Sequence, residues 1–485
     1  MSRDKRAEVR ERALARCRER GVIIPTLAQQ QDPGLVPAEI RAALGGVDMQ
    51  ARDPLNLFRI SWKNDPAGGG FGGVNHVEIP PEISGVRARI IGLAGCQFPT
   101  GAHKVGAAFG CLVPRLVRGE FDPVSQLAVW PSTGNYCRGG AFDSALLGCR
   151  PLAILPEEMS RERFRWLEEI GAEILATPGC ESNVKEIFDA CWRIRAERSD
   201  AVIFNQFEEF GNYLWHYAVT GSAVLELARA RGLGPGQAHW VGSTGSGGTL
   251  AAGDRLKDEL PGGRIVAAEA LQCPTLLQNG FGGHRIEGIG DKHVPWIHNA
   301  RNTDAVCAID DEDALRLLRL CNEEAGQAHL ARQGVPATVL ERLPWLGISS
   351  MCNLLACVKT ARWFELDETH VLFTSFTDSV EMYRSRLAEM TDSLGVYHEA
   401  DARVDHECRL LGQRADAFRE LTFPDRKALH NLKYFTWVEQ QGRTVEELDR
   451  LWDPGFWQGL KDELPAWDEE IARFNCDSGA VVSKA

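Results

Sequence analysis

Lys104 stands in Pro99-Thr-Gly-Ala-His-Lys-Val-Gly106, one amine among small residues, just past an apolar run (Ile90 to Ala94) and ahead of a helix-like segment, Val105 to Val117. Flanking glycines let the backbone come close to a planar group. A lysine amine forms Schiff bases with pyridoxal phosphate and with carbonyl substrates. Taken alone, the same residue is more simply a solvated lysine at a helix start. Two further stretches carry ligand chemistry. Ser132-Thr-Gly-Asn135 offers hydroxyls, an amide and backbone N–H groups before a helix, a set that suits a carboxylate, although a capping turn uses the same residues. Gly242-Ser-Thr-Gly-Ser-Gly-Gly-Thr249 separates a short strand (residues 239 to 241) from a helix (250 to 260). Small residues there let successive N–H groups converge on phosphate oxygens, helped by the helix dipole. The loop lacks the lysine of a nucleoside-triphosphate site and the ribose-binding acid of a dinucleotide site. A phosphate site without nucleotide machinery is what remains, the alternative being a purely structural turn.

The elements that must position these loops alternate from Gly85 onward between strand and helix, the pattern of parallel α/β architecture. Strands are expected at 87–93, 126–130, 150–155, 173–176, 201–204, 239–241, 264–269, 305–309 and 371–373, with Thr374-Ser375-Phe376 following the last. Helices are expected at 138–147, 160–170 (with a cap at Ser160), 182–198, 250–260, 311–324 and from Leu346-Gly-Ile-Ser-Ser350 to about 364. Loops at the carboxyl ends of such strands face the ligand crevice, where Ser132 to Asn135 falls. Asn205-Gln206-Phe207 follows another strand and is less informative alone. Residues 3–20 read as an exposed, charge-laced helix. Residues 24–80, broken by prolines and glycines, read as an arm that wraps the body or a partner. Beyond about 390 the chain is helical and charged, with Trp437, Trp452, Trp457 and Trp467 taken as packing residues of a cap or dimerisation element.

A chain of 485 residues exceeds one hydrophobic core. Its net charge of −13 argues against nucleic acid or an anionic membrane as partner. The 14 cysteines include no CxxC pair and no Cys/His spacing of a zinc site, so no metal is expected and reduced, mostly buried thiols are. The charged N-terminus lacks the apolar centre of a signal peptide, and no apolar run reaches the roughly 18 residues of a membrane span. A cytoplasmic protein is the expectation.

Together these segments resemble the tryptophan synthase β/cysteine synthase superfamily, the fold type II pyridoxal phosphate (PLP) enzymes, over roughly residues 85 to 385. Thr100-Gly-Ala-His-Lys-Val105 is similar to the tryptophan synthase β lysine motif; the rest is more like cysteine synthase. Ser132 to Asn135 stands at that family's substrate-carboxylate loop, Gln206 at its second carboxylate contact, and Gly245-Ser-Gly-Gly-Thr249 at its phosphate loop. His284-Arg-Ile-Glu-Gly-Ile-Gly290 matches the substrate-side loop, and Ser375 stands at the serine facing the pyridine nitrogen.

The resemblance implies two open, twisted, mostly parallel sheets flanked by helices, with an N-terminal arm (1–84) and a helical C-terminal extension (391–485). It implies a smaller substrate lobe (98–212) and a larger cofactor lobe (85–97 and 213–390). It further implies PLP as cofactor, held by Lys104, Asn135, Gly245, Ser246, Gly247, Gly248, Thr249 and Ser375, with Lys104 the catalytic residue that removes the α-proton. Ser132, Thr133, Gly134, Gln206 and Gly288 would bind the substrate. The implied reaction is β-replacement or β-elimination on a serine- or cysteine-like amino acid through aminoacrylate. The rivals are a lyase or dehydratase releasing pyruvate and ammonia, and a non-catalytic subunit. A homodimer is implied, with the terminal extensions free to engage a protein partner. Two departures stand out. Asp378 lies three residues after Ser375 and competes for the ring nitrogen. Arg138 follows Asn135, either to bind an anionic substituent or to face outward from its helix.

Overall fold

Short apolar runs after residue 85 pair into two sheets. The computed structural model describes residues 3–290 and 292–479. Its strands are β1 (His76–Ile79), β2 (Arg89–Ala94), β3 (Leu127–Pro131), β4 (Arg150–Pro156), β5 (Glu173–Thr177), β6 (Ala201–Ile203), β7 (Ala238–Ser243), β8 (Ile265–Ala270), β9 (Ala305–Ile309), β10 (Val371–Phe376) and β11 (Phe418–Glu420). The larger sheet runs β1-β2-β10-β7-β8-β9-β11 and the smaller β5-β4-β3-β6. Only the edge strands are antiparallel, β1 on β2 and β11 on β9. The inner strands of the large sheet are covered on both faces, which is why β8 and β9 are buried along their whole length.

The Lys104–Val117 helix lies between the Asn135–Leu147 and Phe210–Trp215 helices. Glycine makes that approach possible. A Cβ on Gly139 would stand 2.7 Å from the Val105 Cα, and one on Gly110 would overlap the Gly211 carbonyl. Trp62, Trp130 and Trp215 fill the surrounding core, each large ring contributing about 2–3 kcal/mol of apolar burial.

The expected elements form, with ends shifted by a few residues. Lys104 is the first residue of its helix, and the Asn135–Leu147 helix starts three residues earlier than expected. Ser375 lies inside β10, not past its end. Ser160 does not cap its helix through its side chain; its hydroxyl accepts from Arg163 Nη1 at 2.8 Å.

The Arg3–Arg20 helix is not wholly exposed, because Val9, Ala13, Leu14 and Cys17 form a buried stripe. The two ends of the chain pack together. The Ile24 N–H donates to Asn475 Oδ1 at 3.0 Å, Asn475 Nδ2 donates back to the Ile24 carbonyl at 2.8 Å, and Arg10 pairs with Asp477 at 2.6 Å. In the C-terminal extension Trp437, Trp457 and Trp467 are buried, while Trp452 is half-buried. Trp437 Nε1 donates to the Val294 carbonyl at 2.9 Å, and Lys433 Nζ donates to the Trp296 and His298 carbonyls at 2.8 and 2.7 Å. The extension thus fixes the segment that follows the Gly282–Gly290 loop. None of the 14 cysteines forms a disulfide. No helix among the described residues is long and apolar enough to cross a membrane.

Candidate active site

Lys104 Nζ lies 3.4 Å from Ser246 Oγ, so the lysine reaches the glycine-rich turn after β7. Burial lowers the Lys104 pKa to about 8, against a smaller opposing effect of Cys111 and Glu181. The strand-to-helix stretch before it is strained. Thr100, a β-branched residue, has φ 69°, in the left-handed region that such residues avoid, and positions of this kind cost about 1–3 kcal/mol. Its surroundings impose the conformation. The Thr100 N–H donates to Gln50 Oε1 at 3.0 Å, and its carbonyl accepts from Arg138 Nη2. His103, fully buried, stacks on Trp62 of the arm with ring centroids 5.5 Å apart. Burial depresses its pKa well below the usual value and keeps it neutral.

The turn 245–249 precedes the Leu250–Glu259 helix, and none of its five N–H groups donates to an acceptor among the described residues. Gly247 has φ +75°, and a Cβ on Gly248 would overlap Asn212 Oδ1. Asn212 Nδ2 donates to Ser246 Oγ at 2.9 Å and to the Gln206 carbonyl at 3.0 Å, joining the phosphate-type turn to the Asn205-Gln206-Phe207 segment. Unpaired N–H groups at a helix start, with an amine beside them, fit the phosphate and aldehyde of PLP.

At the end of β3, Ser132, Thr133 and Asn135 are buried. Ser132 Oγ accepts from the Gly134 N–H at 3.1 Å, and the N–H groups of Thr133 and Asn135 find no acceptor among the described residues. Gly288, at φ +97°, brings the substrate-side loop over this site, since its side-chain direction points at Ser349 and at Asn135 Nδ2. The Gly288 carbonyl also lies against Gly245. The structure therefore gathers Lys104, Ser132 to Asn135, Gln206, Gly245 to Thr249 and Gly288 in one region. Ser375 is buried in β10; its carbonyl accepts from Asn353 Nδ2 at 2.7 Å, and its hydroxyl bonds to no described residue. Ser379, one residue past Asp378, lies outside the strand, and its hydroxyl bonds to no described residue.

Arg163 and Tyr383 carry no local signal in the sequence, whereas Asp378 and Arg138 stand out there in other roles. Asp378 Oδ2 accepts from Asn135 Nδ2 at 2.7 Å and from the Tyr383 hydroxyl at 2.8 Å, with Arg163 Nη2 3.7 Å away. That oxygen is taken by Asn135 and Tyr383, while Asp378 Oδ1 is buried with no hydrogen-bond partner among the described residues. Burial raises the Asp378 pKa, with Arg163 the main opposing charge. Arg163 also bonds Glu287 and donates to Tyr383 at 2.9 Å. Arg138 does not face outward: it is buried, donates to Asn135 Oδ1 at 3.2 Å and stacks on Trp166. Its cation is spent on orienting Asn135 and holding Thr100. Glu181, after β5, is buried, and burial raises its pKa to about 8, with Arg163 the largest opposing charge; its strand-end position is the one cue the sequence offers.

Fold and site together define a PLP-dependent enzyme of the two-sheet, fold type II class. Residues 89–329, a little under half of the chain, match the pyridoxal-phosphate dependent enzyme family, and over that stretch the chain is of the tryptophan synthase β/cysteine synthase type. Among curated relatives, cysteine synthase B of Campylobacter jejuni is 28% identical over 295 residues, 60% of this chain and 89% of that protein. Cystathionine beta-synthase of Saccharomyces cerevisiae is 25% identical over 404 residues, 80% of this chain and 75% of its own length. Among solved structures, cysteine synthase of Entamoeba histolytica superposes with a TM-score of 0.57 at 22% identity, covering 70% of this chain and 93% of that one. That likeness establishes the shared fold.

Proposed function

We propose that the protein catalyses β-replacement on a serine- or cysteine-like amino acid, with β-elimination to pyruvate and ammonia as the competing outcome. The observation that carries this reading is the 3.4 Å approach of Lys104 Nζ to Ser246 Oγ, which sets an amine beside five free N–H groups. Bound PLP supplies an electron sink for the substrate α-carbon. The remaining tasks fall to the chain. Lys104, its pKa lowered to about 8 by burial, would attach the aldehyde and then, once freed, move the α-proton. The turn Gly245 to Thr249 would hold the phosphate. Ser132, Thr133, Gly134 and Gln206, with Gly288 closing over them, would grip the substrate carboxylate and turn its α C–H bond toward Lys104.

Asn135, aimed by Arg138 and Asp378, would bind the cofactor's 3′-oxygen. A neutral hydroxyl, from Ser375 or from Ser379 just outside the strand, would face the ring nitrogen. A hydroxyl supports a weaker sink than a carboxylate, which favours loss of the β-substituent over transamination. Relatives bearing the name cysteine synthase support replacement as the main outcome. An intact lysine and phosphate turn speak against a non-catalytic subunit. A homodimeric cytoplasmic enzyme, with terminal extensions available to a protein partner, completes the reading. The test is product analysis of the PLP-loaded protein given L-serine, O-acetyl-L-serine or L-cysteine, with and without an added thiol. A new thioether or thiol amino acid formed only with the nucleophile supports replacement; pyruvate in its absence supports elimination. Neither product from any of the three refutes the reading.

A further inference from the structure

Four arginines, Arg16, Arg20, Arg52 and Arg150, line one cavity of about 430 Å³, and no acidic side chain among the described residues lines it with them. They come from three separate stretches: the Arg3–Arg20 helix, the arm and the start of β4. The chain as a whole carries a net charge of −13, so such a gathering runs against its composition. The cavity of about 490 Å³ beside β6 shows the usual balance, with Arg115, Arg195 and Arg443 set among Glu208, Glu209 and Glu447.

The guanidinium groups are held from behind. Arg16 Nε donates to the Gly148 carbonyl at 3.2 Å, Arg20 Nη2 to the Ala145 carbonyl at 3.1 Å, and Arg52 Nη1 to the Ile170 carbonyl at 3.2 Å. These carbonyls end the Asn135–Leu147 and Arg161–Ile170 helices, so cations capping helix ends are the simpler account. That account leaves too much over. Both helices already finish on a left-handed glycine, Gly148 at φ +75° and Gly171 at φ +82°, whose N–H closes the last turn. Arg150 bonds neither helix end; its Nη2 donates to Asp200 at 2.8 Å. Charge is left over as well. Arg16 pairs with the exposed Glu19, Arg150 shares Asp200 with Arg198, and Arg20 and Arg52 are in no ion pair among the described residues.

From this we infer that the cavity is a binding site for a diphosphate group, outside the active site. A guanidinium fork sets parallel N–H groups against two phosphate oxygens, and each of these arginines spends only one or two of its N–H groups on the bonds named above. A diphosphate has oxygens enough to meet several forks at once, and carbonyl contacts that fix the arginines beforehand spare the ligand that ordering cost. The cavity volume falls within the range of small-molecule sites, about 300–1,000 Å³. Asn135 begins the helix whose far end lines the cavity, about 18 Å away at 1.5 Å per residue. The site is therefore separate from the turn at 245–249, and its occupant joins the arm to the smaller lobe.

The test is isothermal titration calorimetry with pyrophosphate and with ADP, in low-salt buffer where screening is least. PLP is kept in excess so that the turn at 245–249 does not take the probe. Wild type should bind pyrophosphate with a dissociation constant below about 1 mM. Arg20→Gln and Arg52→Gln should each weaken it about tenfold or more, the loss expected for a hydrogen bond to a charged group. Arg87→Gln makes the same charge change at an arginine that is 74% exposed, and it should bind as wild type does. Equal affinities for the two probes assign the site to the diphosphate alone; tighter ADP assigns it to a nucleotide. Arg20→Lys and Arg52→Lys keep the charge but lose the fork, so their affinities should fall between, which separates lost recognition from a misfolded variant. No binding of either probe by wild type, or binding that both glutamine variants retain, would overturn the proposal. Phenylglyoxal labelling gives a second readout. Pyrophosphate should slow modification of the peptides carrying Arg20 and Arg52 and not of the one carrying Arg87; equal rates with and without it would also overturn the proposal.

Discussion

Replacing Arg163 by methionine keeps much of the side-chain volume and removes one buried cation. The Arg163 side chain is 0% exposed, donates to Ser160 Oγ at 2.8 Å and to the Tyr383 hydroxyl at 2.9 Å, and pairs with Glu287. Breaking one partner out of a buried pair costs about 3–5 kcal/mol, because the other charge is left uncompensated. Here the remaining carboxylates are not bare. Glu287 keeps Arg386 Nε at 2.6 Å and the Ser160 N–H at 3.2 Å, and Asp378 keeps Asn135 and Tyr383. The loss should therefore sit at the lower end, about 3 kcal/mol in urea unfolding. Glu287→Gln in the Arg163→Met background should recover part of it, with a coupling of about 1–3 kcal/mol. Arg163 also lies against Gly134, whose Cβ position it fills, so the variant should raise KM for the amino acid more than it lowers kcat. A loss below about 1 kcal/mol, the centre of the range for point substitutions in general, would refute the reasoning. So would strict additivity of the two substitutions.

Gly248→Ala should push Asn212 off Ser246 and the Gln206 carbonyl, weakening PLP about tenfold in equilibrium dialysis, the size expected from about 1–2 kcal/mol of overpacking; unchanged affinity would contradict the packing described. Of the 14 cysteines, Cys408 and Cys476 are exposed and Cys96 and Cys180 half-buried, so a thiol reagent should react quickly at the first pair and reach the rest only on slower opening or unfolding. Rapid labelling of most thiols in the native protein would count against the burial described.

Much of the site was legible because its chemistry is local. A run of small residues between a strand and a helix, as at 132–135 and 245–249, carries its ligand preference in its own N–H groups and hydroxyls. Residues that act across the fold were not legible in this way. Asn212, Arg163 and Tyr383 meet their partners only when distant segments pack, and nothing in their neighbours announces it. Arg138 misled because charge is a good marker of exposure, whereas its helix lies beneath the strained Thr100 turn and needs a cation there. The Arg3–Arg20 helix hid its buried stripe for a related reason: four apolar contacts are diluted by arginines. β1 and β11 are short edge strands of four and three residues, too brief for a period to register.

The central claim is that Lys104 carries the cofactor. PLP-loaded protein treated with borohydride, digested and mapped by mass spectrometry tests it most directly. A phosphopyridoxyl group should appear on the peptide containing Lys104 and be lost in Lys104→Ala. The same group on another lysine, or unmodified peptides with PLP washing away freely, would contradict the account.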